Sequence, residues 1–359
     1  MTNNSWKKSI KDRVELFRQY YVMKNPRPLL GFFLGSEFPL HRYPASKSLP
    51  EDRPLTPDDF EVEPYLDDCD KLFETHEQCG GDFIWSAAPF WGIPWLEVAL
   101  GCEIFASHTT GSIHSEPPKK NSGPDSIPAF NAGNPWMQKS VEFIIKMAKR
   151  SGSRWPLATT RMRGVSDLLA ALYGGNEIVF AMMEQPDEIK AAAEKLTNFF
   201  IGYGKLQLKH TPKFYGGIGS FYYYMWAPNG TIWHQEDAAA LLSPDLYKKF
   251  IEPCDRKIVN SFNSCIIHQH PTGYFPVDSY LSMNVTALEL HIDKGGPSAE
   301  QLFDVHKKIL TLKPLLIWGD ISGKDMDWIF SNLPHQGLAV NTVVSSPQQA
   351  KDIWNKYVA

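Results

Sequence analysis

The sequence predicts a closed (β/α)8 barrel of the TIM type, built as a single domain over residues 1–359. A helical extension precedes the first strand, and a β-rich insert follows the second. Three observations lead there. A length of 359 residues suits one large α/β barrel or two smaller domains. About eight short apolar runs alternate with helical patterns, the order that a parallel sheet with crossover helices requires. The Pro-, Gly-, Ser- and Asn-rich stretch 117–135 is an exposed loop rather than a linker, because strand–helix alternation resumes after it.

The elements follow in order. Residues 6–24 carry the spacing of an amphipathic helix, stopped by Pro26 and Pro28. Residues 29–35 form an unbroken apolar run fit for a buried strand, which delivers Ser36 and Glu37 at its end. A polar loop, 38–60, leads to a helix over 64–78 that stops at Gly80 and Gly81. Residues 82–88 are the second strand, followed by the aromatic loop 89–95 with Trp91, a short helix over 96–100 and the β-rich insert 103–116. A helix over 136–150 precedes the strand 155–160, which hands over to Arg161 and Arg163. Helices then cover 165–173, 177–183 and 186–209. A glycine- and tyrosine-rich strand spans 216–226, and 227–237 is its loop, with His234, Glu236 and Asp237. Ser243 caps the next helix, with Pro244 in its first turn, and the helix runs to about residue 262. The strand holding His268, a short helix over 276–281 and the strand holding Glu289 come next. A helix over 298–312 leads to the strand 315–320, a helix over 324–330, the strand 338–344 and a last helix capped by Ser346 and Pro347.

Composition narrows the classes. A hydrophobic share of 43% with 21% charged residues is that of an ordinary globular chain. The net charge of -4 and the lack of a basic stripe exclude a nucleic-acid partner. Five scattered cysteines with no CxxC argue against a disulfide framework and for a reducing compartment. The polar N-terminus lacks a signal-peptide core, and no apolar run approaches the ~20 residues of a membrane span. A cytoplasmic protein with no membrane partner is expected.

The chemistry concentrates on two apolar runs. His268 and His270 share one strand, and Glu289 and His291 the next. A period of two puts each pair on one face. Adjacent strands would then gather three imidazoles and a carboxylate into a site for a divalent metal. Alternatively, free imidazoles act as general acid and base, or Glu289 orients a ligating histidine. Asp320 ends a strand, where it is either catalytic or a helix cap. Glu37, Trp91, Arg161 and His234 are candidate substrate-binding residues at strand ends, and Arg161 suits an anion. Asp237 reads as a brace for the loop before Ser243.

The segment from Asp237 through Leu242, Ser243 and Pro244 to Pro253, followed by Ile266 to His270, resembles the uroporphyrinogen decarboxylase superfamily. That group includes the cobalamin-linked methyltransferases. The shared pattern is an Asp before Leu-Ser-Pro, a helix with a late Pro, then a strand carrying His-x-Cys-Gly. Residues 161–174 and the stretch from Trp318 to Ile321 extend the resemblance. It implies a (β/α)8 barrel and a methyl group moved between a small methylated compound and a corrinoid, which sits on a separate protein in the arrangement expected here. It also implies a metal, zinc first, with His268, His270 and Asp320 as catalytic positions. The departures are specific. Where decarboxylases of the family carry Met-Arg-Gln-Ala-Gly-Arg, this chain has Gly35 to Tyr43 with Glu37 leading, which argues against a tetrapyrrole rich in carboxylates. His270 stands where the family has its first zinc cysteine, and residues 338–344 hold no cysteine. The expected ligands are therefore harder: His268, His270, Glu289 and His291. The rival readings are a decarboxylase or lyase that grips a carboxylate with Arg161, and a non-catalytic corrinoid- or tetrapyrrole-binding protein.

Overall fold

The computed structural model describes residues 5–118 and 123–359; the polar residues 1–4 and part of the expected 117–135 loop lie outside them. Its strands are β1 (Leu29–Leu34), β2 (Glu103–Ser107), β3 (Ser112–Glu116), β4 (Gly217–Gly219), β5 (Trp226–Pro228), β6 (Thr231–Gln235), β7 (Ser264–Gln269), β8 (Ala287–His291), β9 (Leu315–Gly319) and β10 (Leu338–Val344). Six of them form one parallel sheet in the order β1-β10-β9-β8-β7-β6, with helices between consecutive strands from β6 onward. The expected α/β class is therefore observed. The strands of this sheet are buried along nearly their whole length, as near-continuous apolar runs covered on both faces must be. The insert forms the antiparallel pair β2–β3.

Regular pairing stops at six strands rather than the eight expected. Residues 82–88 and 155–160 are extended but make only isolated bridges, Ala87 with Leu157 and Ala158 with Gly219. Pro156 and Pro89 bring no N–H to a ladder at these points. Single backbone bonds nevertheless run across this region. Asp82 N donates to Leu30 O (2.9 Å), Ala158 N to Ala87 O (2.8 Å) and Gly219 N to Leu157 O (2.8 Å).

A second departure concerns 216–237. The expected strand 216–226 is instead the short pair β4–β5, and the expected loop contains β6, the end strand of the sheet beside β7. The break lies at Tyr222 and Tyr224, whose φ values of 63° and 58° put them in the left-handed region. That conformation costs a non-glycine residue about 1–2 kcal/mol, here offset by ring burial. The kinked turn presents Phe221, Tyr222 and Tyr223 to one cavity.

Helix ends follow local chemistry. Asn134 accepts from Trp136 N to cap Pro135–Ser151, which closes on Gly152 in the left-handed region (φ 51°). Several tryptophans serve packing: Trp85, Trp95, Trp155, Trp318 and Trp354 are among the largest fully buried side chains. All five cysteines are free and buried, and burial pushes the thiols of Cys79 up to about 11 and of Cys102 and Cys254 up to about 12. No helix among the described residues is long and apolar enough to cross a membrane.

His306 sits fully buried on the helix Phe303–Leu310, and neither ring nitrogen has a hydrogen-bond partner among the described residues. Burial lowers its pKa to about 4. The unfolded chain, titrating near the ordinary ~6.5, therefore takes up a proton that the folded chain refuses. Stability falls as pH drops through that window, by about 2 kcal/mol between pH 6.5 and 5. Urea unfolding of His306→Leu is expected to show higher stability at pH 7 and a shallower loss at pH 5; an unchanged pH slope would count against this origin.

Candidate metal centre and cavity

Three consecutive parallel strands build the site from one parity of residues. The register sets Gln235 beside His268 and His268 beside Glu289. Two residues further on, the same faces carry Asp237, His270 and His291, with Asp293 two beyond that. The result is two layers, with Gln235, His268 and Glu289 below and Asp237, His270, His291 and Asp293 above.

The upper layer and His268 converge. Ring centroids lie 4.8 Å apart for His268 and His270, 4.5 Å for His270 and His291, and 6.4 Å for His268 and His291. His268 Nε2 is 3.4 Å from Asp237 Oδ1, and His270 Nε2 is 4.0 Å from Asp237 Oδ2. His270 Nδ1 meets both oxygens of Asp293 at 2.8 Å, and His291 Nε2 is 3.6 Å from Asp293 Oδ1. One donor atom from each of Asp237, His268 and His270 falls within 4.8 Å of the others, and the same holds for His270, His291 and Asp293. Asp237 Oδ1 is buried and has no hydrogen-bond partner, an arrangement that disfavours an anionic oxygen unless a cation arrives. No cysteine belongs to any such group among the described residues.

Of the two parts expected of Glu289, ligand or orienter of a ligating histidine, its contacts fit the second. It is fully buried below the cavity, where its Oε2 closes on His268 Nδ1, and Tyr223 OH reaches the same nitrogen at 3.0 Å. Burial pushes the Glu289 carboxyl well above the usual range, with His270 pulling the other way. Burial also lowers His268 to about 3. A single proton lies between Glu289 Oε2 and His268 Nδ1 in this contact, and a cation at Nε2 would hold that proton on Nδ1. This is the carboxylate–histidine pairing that fixes a ligand's tautomer. Burial and the two neighbouring imidazoles lower His291 to about 3. For His270, burial works against the imidazolium, but Asp293, Asp237 and Glu289 outweigh it and raise the pKa to about 9. Glu289→Gln keeps the shape and weakens the acceptor. Its affinity for zinc, measured by competition with a chelator, is expected to fall about 10- to 100-fold; an unchanged affinity would remove Glu289 from this role.

The cluster lines a cavity of about 460 Å³. Trp91, Phe221, Tyr222, Tyr223 and Trp233 supply aromatic walls, and Glu37, Arg161 and Lys294 supply charge. Glu37, Trp91 and Arg161 thus occupy the cavity expected of them. His234 and Asp320 do not. His234 has the opposite parity from Trp233 and Gln235, so it points away from the cavity. Its Nε2 lies 2.8 Å from Glu236 Oε1 and 3.4 Å from Asp255 Oδ1 in a fully buried network. Asp320 is exposed and outside the cavity lining. In the stretch 35–43, Arg42 packs over Phe33 (3.9 Å to the ring centroid) and donates to Tyr224 OH (2.6 Å), so it offers no charge to the cavity.

The two carboxylates that the sequence reading missed are Asp237 and Asp293. Asp293 was open to detection by carrying the period of two past the end of the strand. Asp237 does follow a bracing device, though a reciprocal one. Glu236 accepts from Val165 N (2.8 Å) and Ser166 N (3.0 Å) at the start of the helix Val165–Tyr173, and Asp167 of that helix accepts from Ala238 N (2.8 Å). Gly164 permits this approach, since a Cβ there would collide with the Glu236 carboxylate.

No family model and no curated protein matches the chain. Twenty-two solved chains are similar in structure, among them a methyltransferase from Methanosarcina mazei with a TM-score of 0.64 and 14% identity, the match covering 98% of this chain and 100% of that one. A likeness at that identity shows a common fold.

Proposed function

We propose that this chain is a metal-assisted methyltransferase of the uroporphyrinogen decarboxylase superfamily, moving a methyl group between a small methylated compound and a corrinoid carried by a partner protein. One observation carries the reading: two triads that share His270, one with Asp237 and His268 and one with His291 and Asp293, meet at the ends of adjacent parallel strands, the first beside a buried aspartate oxygen with no donor. The fold common to this chain and a methyltransferase supports it. Taking 82–88 and 155–160 as two further staves, joined through the single bonds at Leu30 and Ala87 and continued onto β6 by Gln235 N with Met162 O and Gly164 N with Gln235 O, would give a closed (β/α)8 barrel. The cluster then stands at the C-terminal mouth, where such barrels hold their chemistry.

The donor set suits a divalent ion, zinc first. Asp237, His268 and His270 are the residues that would hold it, with Glu289 and Tyr223 orienting His268; His270, His291 and Asp293 form a second candidate triad that shares His270. Such an ion supplies Lewis acidity, polarising an ether or alcohol oxygen or lowering the pKa of a thiol. Trp91, Tyr222 and Trp233 exclude water from the bound methyl compound. A corrinoid ring is too broad for 460 Å³ and would lie across the mouth, its cobalt supplying the methyl-carrying chemistry. Five unpaired cysteines fit a cytoplasmic setting. A macrocycle rich in carboxylates is disfavoured, because Arg161 and Lys294 are the cavity's lysine and arginine side chains.

The test is methyl transfer from a panel of methyl ethers and alcohols to cob(I)alamin, with zinc-loaded and chelator-stripped protein. Zinc-dependent methylcobalamin formation is expected. Transfer that is indifferent to zinc, or none from any donor, would overturn the reading.

A further inference from the structure

We propose that the cavity recognises a flat substrate bearing a carboxylate, and that Arg161 is the residue that selects it. The claim rests on the methyl-transfer reading only for the group transferred, which makes the substrate class an aromatic carboxylic acid with a methyl ether; the binding claim rests on the cavity.

Arg161 lines the cavity, partly buried, and makes no hydrogen bond or ion pair with another described residue. Its neighbour Arg163, by contrast, closes on Glu97 at 2.8 Å. A guanidinium carries five N–H donors in a planar fork that matches a carboxylate. Held in a partly dry cavity without an acceptor, it is an unspent recognition element. The nearby acid Asp237 is already engaged, accepting from Gln235 Nε2 and facing His268. Lys294 adds a second cation on the same lining and forms no ion pair with a described residue.

The walls dictate the body of the ligand. Phe221 and Tyr222 stack at 5.4 Å and 20°, Trp91 meets Tyr222 at 5.0 Å, and Trp233 meets Phe221 at 4.9 Å. Flat faces of this kind favour an aromatic ring. A volume of about 460 Å³ fits one substituted ring. The imidazole–carboxylate cluster on the same cavity is then left for the ether oxygen.

The experiment is calorimetric binding of 4-methoxybenzoate, 4-methoxybenzamide and methoxybenzene to the zinc-loaded protein, to Arg161→Gln and to Arg161→Lys. The wild type is expected to bind the acid at least tenfold tighter than the amide. Arg161→Gln should abolish that preference while leaving the amide's affinity in place, and Arg161→Lys should restore part of it, because a lysine lacks the bidentate fork. Equal affinity for acid and amide in the wild type overturns the proposal, as does a preference that survives Arg161→Gln, or no binding of 2-, 3- or 4-methoxybenzoate at millimolar concentration. If Arg161→Gln fails to fold, the wild-type comparison still decides. Arg161-dependent binding of the acid without methyl transfer sinks the methyltransferase reading and keeps this one. Zinc-dependent methyl transfer from the neutral ethers at rates equal to those from the matching acids does the reverse.

Discussion

Replacing His268 by alanine is expected to abolish the proposed binding of a divalent ion. Zinc, measured by mass spectrometry after dialysis, should fall from about one per chain to trace. The reason is positional. His268 is the imidazole whose far nitrogen is held in place, by Glu289 and by Tyr223 at 3.0 Å, so its Nε2 is the donor best oriented before any ion arrives. Removing the ring also leaves Glu289 fully buried without its proton partner, which costs about 1–3 kcal/mol. The same variant should therefore unfold at lower urea. A metal content equal to wild type would end the claim that His268 is a ligand, whatever the change in stability.

The largest effect on folding is expected at Glu236, outside the cavity. Its carboxylate accepts from Val165 N, Ser166 N and Ser166 Oγ, and from His234 at 2.8 Å. Every one of these partners is buried. Glu236→Ala leaves two amide donors at a helix start and one imidazole unsatisfied, beside Asp255, whose own carboxyl burial pushes well above the usual range. Breaking a buried charged network of this kind costs about 3–5 kcal/mol. Glu236→Gln retains one acceptor oxygen and should lose less. Urea unfolding of both variants measures the difference. Because Asp237 is the next residue, Glu236→Gln should also weaken zinc binding; equal stability of both variants with the wild type would show that the network is dispensable.

The part of the site on β7 and β8 was legible because both are short, mostly apolar runs in which His268 and His270, and Glu289 and His291, fall two apart. β9 and β10 were legible as mostly apolar runs. β6 was hidden by a stronger signal beside it. The glycine- and tyrosine-rich stretch 216–226 has high strand propensity, yet Tyr222 and Tyr224 turn left-handed within it and the chain re-enters the sheet only at Thr231. Tertiary packing of the rings overrode local preference there. Misplacing that strand had two consequences. His234 was read as facing the cavity, because a loop residue has no parity to exclude it. Asp237 was read only as a brace, because its place above Gln235 appears once β6 is paired with β7. The strands at 82–88 and 155–160 were recognisable as extended, but nothing local tells that their pairing shrinks to isolated bridges.

The free cysteines have a consequence for durability. Metal centres built on thiolates surrender their ion when peroxide converts sulfur to sulfenic or higher acids. Here the donors are imidazole and carboxylate, which resist that chemistry. The sulfurs that do exist are buried, with thiols held protonated and so poor nucleophiles. A metal held as proposed would therefore keep its ligands under peroxide, where a sulfur-ligated site loses them.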